Sequence, residues 1–122
     1  MGLMYFFDTY AFIEILNGNQ NYTKYENTQM LTSRFNLMEL YYIIILRFGK
    51  QKADEVYDHL LKYVMYVDDA TIKDAMMFRL ANKKKGLSYV DCIGYVIAKT
   101  NGLKFLTGDK QFEGMDNVEF VK

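Results

Sequence analysis

Four carboxylates stand where an α/β chain could put them to chemical use: Asp8, Glu39, Asp91 and Asp109. Asp8 ends the apolar run Met4-Tyr5-Phe6-Phe7, and Asp109 follows the run Leu103 to Leu106 after a short turn. Ligands of open α/β sheets gather at the carboxyl ends of strands, and both acids fall there. Asp91 lies three residues after Ser88 in Ser88-Tyr89-Val90-Asp91, a capping-box pattern that places it in the first turn of a helix. Glu39 sits within Phe35 to Leu46, a helix apolar almost all round and therefore expected to be buried. Each acid also has an ordinary explanation. Asp8 can cap the helix that follows it, Asp109 can serve a turn beside Gly108, and Asp91 can favour the helix dipole. Glu39 can pair with Arg34, Arg47 or Arg79. An unpaired buried carboxylate costs several kcal/mol, so Glu39 must meet a cation, a metal or a site open to water. The site is the reading favoured here.

Brought together, the four acids would repel one another and raise some of their own pKa values. A divalent cation relieves that repulsion. Oxygen donors suit Mg²⁺ or Mn²⁺, whereas zinc prefers Cys and His, of which the chain has one each. Such a centre can activate water and stabilise in-line attack at phosphorus. Cys92 as a nucleophile would need a base, and His59, the one histidine, falls on a charged helix face. Cys92 therefore reads as a small buried hydrophobe and His59 as solvated. Lys83-Lys84-Lys85 is either a solvated helix end or a contact for phosphates. Tyr10 and Tyr89 lie near acids and can stack on bases, although most tyrosines should serve the core or an interface. The absence of a glycine-rich phosphate loop argues against a nucleotide-binding Rossmann domain.

The elements that must position these residues follow from pattern. Met4 to Phe7 reads as a buried parallel strand, and Ala11, Phe12, Ile15 and Leu16 recur at helical spacing until Asn17-Gly18-Asn19. Thr28 to Leu31 reads as a second strand. Thr32 or Ser33 caps a helix to Phe48, stopped by Gly49, and another helix runs from Gln51 to Met65. Tyr66-Val67 reads as a third strand. Asp68-Asp69 caps a helix through Leu80 that closes with Lys83 to Lys85 and Gly86. The helix opened by Ser88 ends at Asn101-Gly102, and strands are expected at Leu103 to Leu106 and Val118 to Val121. Strands alternating with helices imply an α/β fold with a parallel sheet covered on both faces.

The composition sets bounds. A chain of 122 residues with 51% hydrophobic and 25% charged residues is globular, and residues 1–122 are expected to form a single domain. Fifteen basic and fifteen acidic residues cancel, so no general attraction to nucleic acid or membrane is expected. One cysteine excludes an internal disulfide and fits a reducing, cytoplasmic setting. The opening run Leu3 to Phe7 is too short for a signal peptide, and Leu40 to Leu46 is too short to cross a bilayer.

These pieces together resemble the PIN domain family, and within it the small VapC-type toxin ribonucleases. The resemblance rests on Tyr5-Phe6-Phe7-Asp8-Thr9, Asn36-Leu37-Met38-Glu39-Leu40, Leu87-Ser88-Tyr89-Val90-Asp91-Cys92 and Phe105-Leu106-Thr107-Gly108-Asp109 followed by Phe112. It spans about residue 4 to residue 121. It implies a three-layer α/β/α domain with a mostly parallel sheet, whose acidic cluster holds Mg²⁺ or Mn²⁺ and cleaves single-stranded RNA. By that resemblance Asp8, Glu39, Asp91 and Asp109 bind the metal, and Thr107 orients the last acid or a water. It also implies a homodimer silenced by a small antitoxin. One departure is Gln111, which stands where some members carry a further acid; Asp116 is near enough in sequence to replace it. Two other readings remain. The chain could be a binding module that keeps metal without catalysis, or a phosphoacceptor receiver domain. Receiver domains pair acids after the first strand, whereas Asp8 here is followed by Thr9.

Overall fold

The computed structural model describes residues 4–122; residues 1–3, including Leu3 of the opening apolar run, lie outside the described residues. Alternation along the apolar strands decides the layering. In β1 (Met4–Phe7), Tyr5 and Phe7 point to one face and Phe6 to the other, and all three are buried. In β4 (Lys104–Thr107), Leu106 joins the first face and Phe105 the second. A strand buried on both sides needs helices on both sides.

The first face is covered by α1 (Thr9–Leu16), a 3₁₀ segment over Gln20–Asn27, α2 (Arg34–Phe48) and α3 (Lys50–Leu60). Its core joins Phe12, Tyr22, Tyr25, Leu37, Leu40, Ile44 and Leu60 to the strands. The second face is covered by α4 (Asp69–Ala81) and α5 (Tyr89–Thr100), through Ala75, Ile93, Tyr95 and Ile97. The result is a three-layer α/β/α fold. With β2 (Gln29–Ser33), β3 (Val64–Met65) and β5 (Val118–Phe120), the sheet has the order β3-β2-β1-β4-β5, and every pairing is parallel.

That order matters. The chain winds outward from β1 in one direction, then returns to place β4 on the other side of β1. The crevice at the carboxyl ends of β1 and β4 is thus a topological switch point, the customary ligand position in such sheets. Receiver domains, with their 2-1-3-4-5 order, put the switch elsewhere, so the topology sets this chain apart from them.

The caps formed where sequence placed them. Ser33 caps α2 through Asn36 N–H, Asp68 caps α4 through Thr71 N–H, and Ser88 and Asp91 complete a capping box on α5. Four expectations need correction. The helix expected to reach Met65 ends at Leu60, because Leu61–Tyr63 tightens into a 3₁₀ turn. The third strand is Val64–Met65 rather than Tyr66-Val67, since Val64 and Met65 register against Thr32 and Ser33. Lys83–Lys85 forms its own 3₁₀ turn after α4 instead of the helix's last turn. The helix around Glu39 is not buried all round: Met38, Tyr42, Leu46 and Phe48 of α2 are exposed.

Helix α5 approaches the sheet closely because Gly94 carries no side chain. A Cβ there would stand 2.8 Å from the ring of Phe6 and 3.1 Å from that of Phe105. Both rings are fully buried, so neither can swing aside. Gly94→Ala gains about 1 kcal/mol in helix propensity but overpacks the core by about 1–3 kcal/mol. The expected net outcome is a loss of up to about 2 kcal/mol in urea unfolding; a gain would mean that the Phe6 ring has room to yield.

Candidate active site

Each acid is delivered by the end of an element. Asp8 follows β1 and caps α1, and its backbone N–H donates to the Leu106 carbonyl of β4 at 3.1 Å. Asp109 follows β4. Glu39 lies one turn into α2, which Ser33 opens at the end of β2. Asp91 is in the first turn of α5. Between Thr107 and Asp109 only glycine fits, because a Cβ on Gly108 would collide with the Val121 carbonyl and the ring of Tyr10.

Asp8 is the centre of the cluster and is buried. Its Oδ1 accepts the Thr9 backbone N–H at 2.8 Å, and its Oδ2 accepts the Thr107 hydroxyl at 2.7 Å. The Thr107 oxygen in turn accepts the Asp109 N–H at 3.1 Å, so one hydroxyl joins two acids. On the other side, the Thr9 hydroxyl donates to Glu39 Oε1 at 2.7 Å. Thr9 Oγ1 receives Asn36 Nδ2–H at 3.0 Å, and Asn36 Oδ1 accepts the Ser33 hydroxyl at 2.6 Å. The direction of this relay is determined. Asn36 supplies a proton to Thr9, which leaves the Thr9 hydroxyl proton for Glu39.

Sequence reasoning named Ser33 as a cap and Thr9 and Asn36 within motifs, but gave none of them a role at the site. A signal was present: Ser33, Asn36 and Glu39 recur every three residues, one face of an otherwise apolar helix. All three polar partners are buried, and no buried side-chain polar atom among the described residues lacks a hydrogen bond.

The electrostatics couple the acids. Burial, then the charge of Asp91, then that of Glu39 push Asp8 up to about 7, against the opposing bonds from Thr107 and Thr9. Burial and the charge of Asp91 raise Glu39, against its bond from Thr9. Burial and the charge of Asp109 raise Asp91, against its bonds from Ser88. The structure therefore brings Asp8, Glu39, Asp91 and Asp109 into one mutually repelling group.

Among the described residues no ion pair neutralises them. The ion pairs among the described residues are Lys50–Asp54 and Lys99–Asp116, both at the surface. The pairing of Glu39 with Arg34, Arg47 or Arg79 does not form; Arg79 instead donates to the Leu87 carbonyl and lies over Tyr89. Asp116 is not drawn to the cluster either. It is exposed, 3.7 Å from Lys99, because the chain turns away to enter β5. Gln111 is exposed as well. Cys92 is buried, with its thiol pushed up to about 11 chiefly by that burial, while His59 is exposed on α3.

The donor set is all oxygen, which fits a hard divalent cation. Glu39 Oε2, Asp91 Oδ1 and Asp109 Oδ2 receive none of the hydrogen bonds among the described residues. As they stand, though, no three acidic, His or Cys side chains among the described residues are arranged to ligate one ion. Like charges held apart would give this arrangement, and an ion would have to draw the carboxylates inward.

An α/β/α domain with unneutralised acids at the switch of a parallel sheet is a defined class of protein. The PIN domain model matches residues 5–118, a span that includes all four acids, and the chain belongs to that family. Solved structures similar to it include the Mycobacterium tuberculosis toxin VapC20, described as cleaving the Sarcin-Ricin loop. It superposes with a TM-score of 0.76 at 17% identity, over 95% of this chain and 98% of that one. The DNA-bound VapBC complex of Salmonella typhimurium superposes with a TM-score of 0.73 at 20% identity, over 98% and 97%. A Klebsiella pneumoniae toxin–antitoxin complex gives 0.72 at 19% identity, over 94% and 95%. At these identities the likeness is one of fold. A comparison with curated protein sequences finds no match.

An acid whose pKa is higher in the folded chain than in the unfolded chain favours folding below its unfolded pKa, about 4 for Asp, and loses that contribution as pH rises through its folded value. For Asp8 that window runs from about 4 up to about 7. In EDTA, stability is expected to fall between about pH 4 and about pH 7, by an amount on the order of 2–4 kcal/mol. Asp8→Asn should flatten this dependence and melt no lower than the parent at the alkaline end. A markedly lower melting temperature for Asp8→Asn would show that the carboxylate is a structural cap.

Proposed function

We propose that this chain is a metal-dependent endoribonuclease that cleaves single-stranded RNA, and that it is the toxin of a toxin–antitoxin pair. The observation that carries the reading is the group of four acids at the switch point, Asp8 buried and the others half-buried, with no ion pair to a base among the described residues. A protein has no stability reason to gather such charges, whereas a cation site does. Membership of the PIN family supports a nuclease, and several solved structures of like fold are toxins or toxin–antitoxin complexes.

In this reading Asp8, Glu39, Asp91 and Asp109 hold Mg²⁺ or Mn²⁺. When bound, the ion lowers the pKa of water and offsets charge at the phosphorus under attack. The rest is done by the chain. Thr107 keeps Asp8 Oδ2 turned to one side and holds the backbone of Asp109 beside it. Thr9 restrains Asp8 through its N–H and Glu39 through its hydroxyl, so that two acids move as one unit. Glu39 keeps one oxygen for Thr9 and the other for the ion.

The reading extends to partners. The exposed apolar side chains of α2, Met38, Tyr42, Leu46 and Phe48, offer a face that a second copy or a small antitoxin would cover. A cytoplasmic location accords with the substrate, and no helix among the described residues is long and apolar enough to cross a membrane.

Two measurements test it. A labelled single-stranded RNA is expected to be cut in Mn²⁺, left intact in EDTA, and left intact by Asp91→Asn. Full cutting by Asp91→Asn would remove Asp91 from the catalytic site, and no cutting by the parent in Mn²⁺ would remove the nuclease reading and favour the non-catalytic module. Thr9→Val, which deletes the hydroxyl while keeping the shape, is expected to weaken Mn²⁺ binding about 10–100-fold by calorimetry, and Thr9→Ser to restore it. Equal affinity in all three proteins would mean that Glu39 needs no such restraint.

A further inference from the structure

Four carboxylates repel a polyanion, so a chain that cuts RNA must hold the strand with cations placed beside its acids. Most bases in this sequence are interspersed with acids. Two stretches differ: 40–53 with Arg47, Lys50 and Lys52, whose Lys50 pairs with Asp54, and 75–90, which carries more bases. Residues 75–90 contain Arg79, Lys83, Lys84 and Lys85 and no carboxylate, within a chain of zero net charge. This stretch joins α4 to α5 and leads directly into Asp91.

Its geometry is built rather than loose. Arg79 Nε donates to the Leu87 carbonyl at 3.0 Å, and its guanidinium lies 4.5 Å from the centroid of the Tyr89 ring. Tyr89 is the first residue of α5, whose cap, Ser88, exchanges hydrogen bonds with Asp91. At the other end, Lys85 Nζ donates to the Gln111 carbonyl at 3.4 Å, tying the lysine turn to the loop that follows Asp109. The cations thus run between two of the loops that deliver the acids.

Tyr89 does not behave as a core residue. It is 61% exposed, one face covered by Arg79 and the remainder open to solvent. A rigidly held aromatic ring next to a row of cations is the arrangement that binds single strands: the ring stacks a base and the cations follow the phosphates. A duplex keeps its bases stacked and offers none to such a ring.

We propose that Tyr89, braced by Arg79, is a base-stacking platform beside the acid cluster, and that Lys83, Lys84 and Lys85 hold phosphates of the same strand. The proposal rests on the nuclease reading and adds where the strand lies and why it must be single.

The chain contains no tryptophan, so Tyr89→Trp installs one reporter at the platform. It is combined with Asp91→Asn to keep the RNA intact, and titrated with a short mixed-sequence oligoribonucleotide, single-stranded or annealed to its complement. The single strand is expected to quench the emission saturably and the duplex to leave it unchanged. By fluorescence polarisation, Tyr89→Ala should bind the single strand about 5–100-fold more weakly, and Tyr89→Phe should bind it as the parent does. Replacing the three lysines by Gln should lower the slope of log affinity against log salt by about 2. Melting temperatures equal to the parent's would confirm that each variant is folded. RNA binding by polarisation with no change in tryptophan emission, equal quenching by duplex, or undiminished binding by Tyr89→Ala would overturn the platform while leaving cleavage by the parent intact. Neither cleavage nor RNA binding by the parent would instead mean that the nuclease reading has failed, and the platform with it.

Discussion

Repulsion among carboxylates gathered around the buried Asp8 is the constraint on which the site depends. Asp8 bears most of it, being buried and facing the charges of Asp91 and Glu39. Among the described residues no base pairs with that charge, and the fold restrains the acids with neutral donors instead: two threonine hydroxyls, one of them held by an asparagine amide, and backbone N–H groups at helix starts. Such donors offset part of the desolvation cost without cancelling the negative charge. A lysine or arginine in their place would have made a stable buried pair and left no charge for a cation to bind.

The same logic explains why the donors are themselves so completely paired. Ser33, Asn36, Thr9 and Thr107 are buried, where an unmatched polar group would cost about 1–3 kcal/mol. Their matching ties α2 to α1 and α1 to β4, so that the acids and the layers are held by one network. Gly94 and Gly108 contribute by absence of a side chain, one letting α5 approach Phe6 and Phe105, the other letting the β4 end pass Tyr10. The bases nearest in sequence to Asp91, Arg79 and Lys83 to Lys85, lie outside the cluster, on the stretch from Ala75 to Val90 that carries no acid.

Much of the architecture was legible along the chain. The apolar run before Asp8, the helical spacing of Ala11 to Leu16 and the caps at Ser33, Asp68 and Ser88 all mark elements that form as read. The order of strands and helices then implied a parallel sheet covered on both faces. Less legible was the region from Leu61 to Val67, where a 3₁₀ turn and a two-residue strand replace a longer helix and a later strand. Short edge strands are chosen by what they lie against, here Thr32 and Ser33, and carry little pattern of their own. The 3₁₀ segment at Gln20–Asn27 was read through for a similar reason, since its Tyr22 and Tyr25 are buried by tertiary contacts with the C-terminal strand region.

By itself the sequence determined which acids stand at element ends, which helices carry caps, and that a single buried cysteine and a single exposed histidine leave oxygen chemistry as the available kind. Those properties depend on neighbours within a few residues, which is the range over which caps, turns and periodicity act. The tertiary structure alone decided that Thr9 links Asp8 to Glu39, that Asn36 directs the Thr9 hydroxyl, that Arg79 braces Tyr89 rather than pairing with Glu39, and that Asp116 stays outside. The Thr107–Asp8 bond spans 99 positions of sequence. No local pattern encodes such a contact, because it exists only once β4 has returned to lie beside β1 and the two strand ends share one crevice.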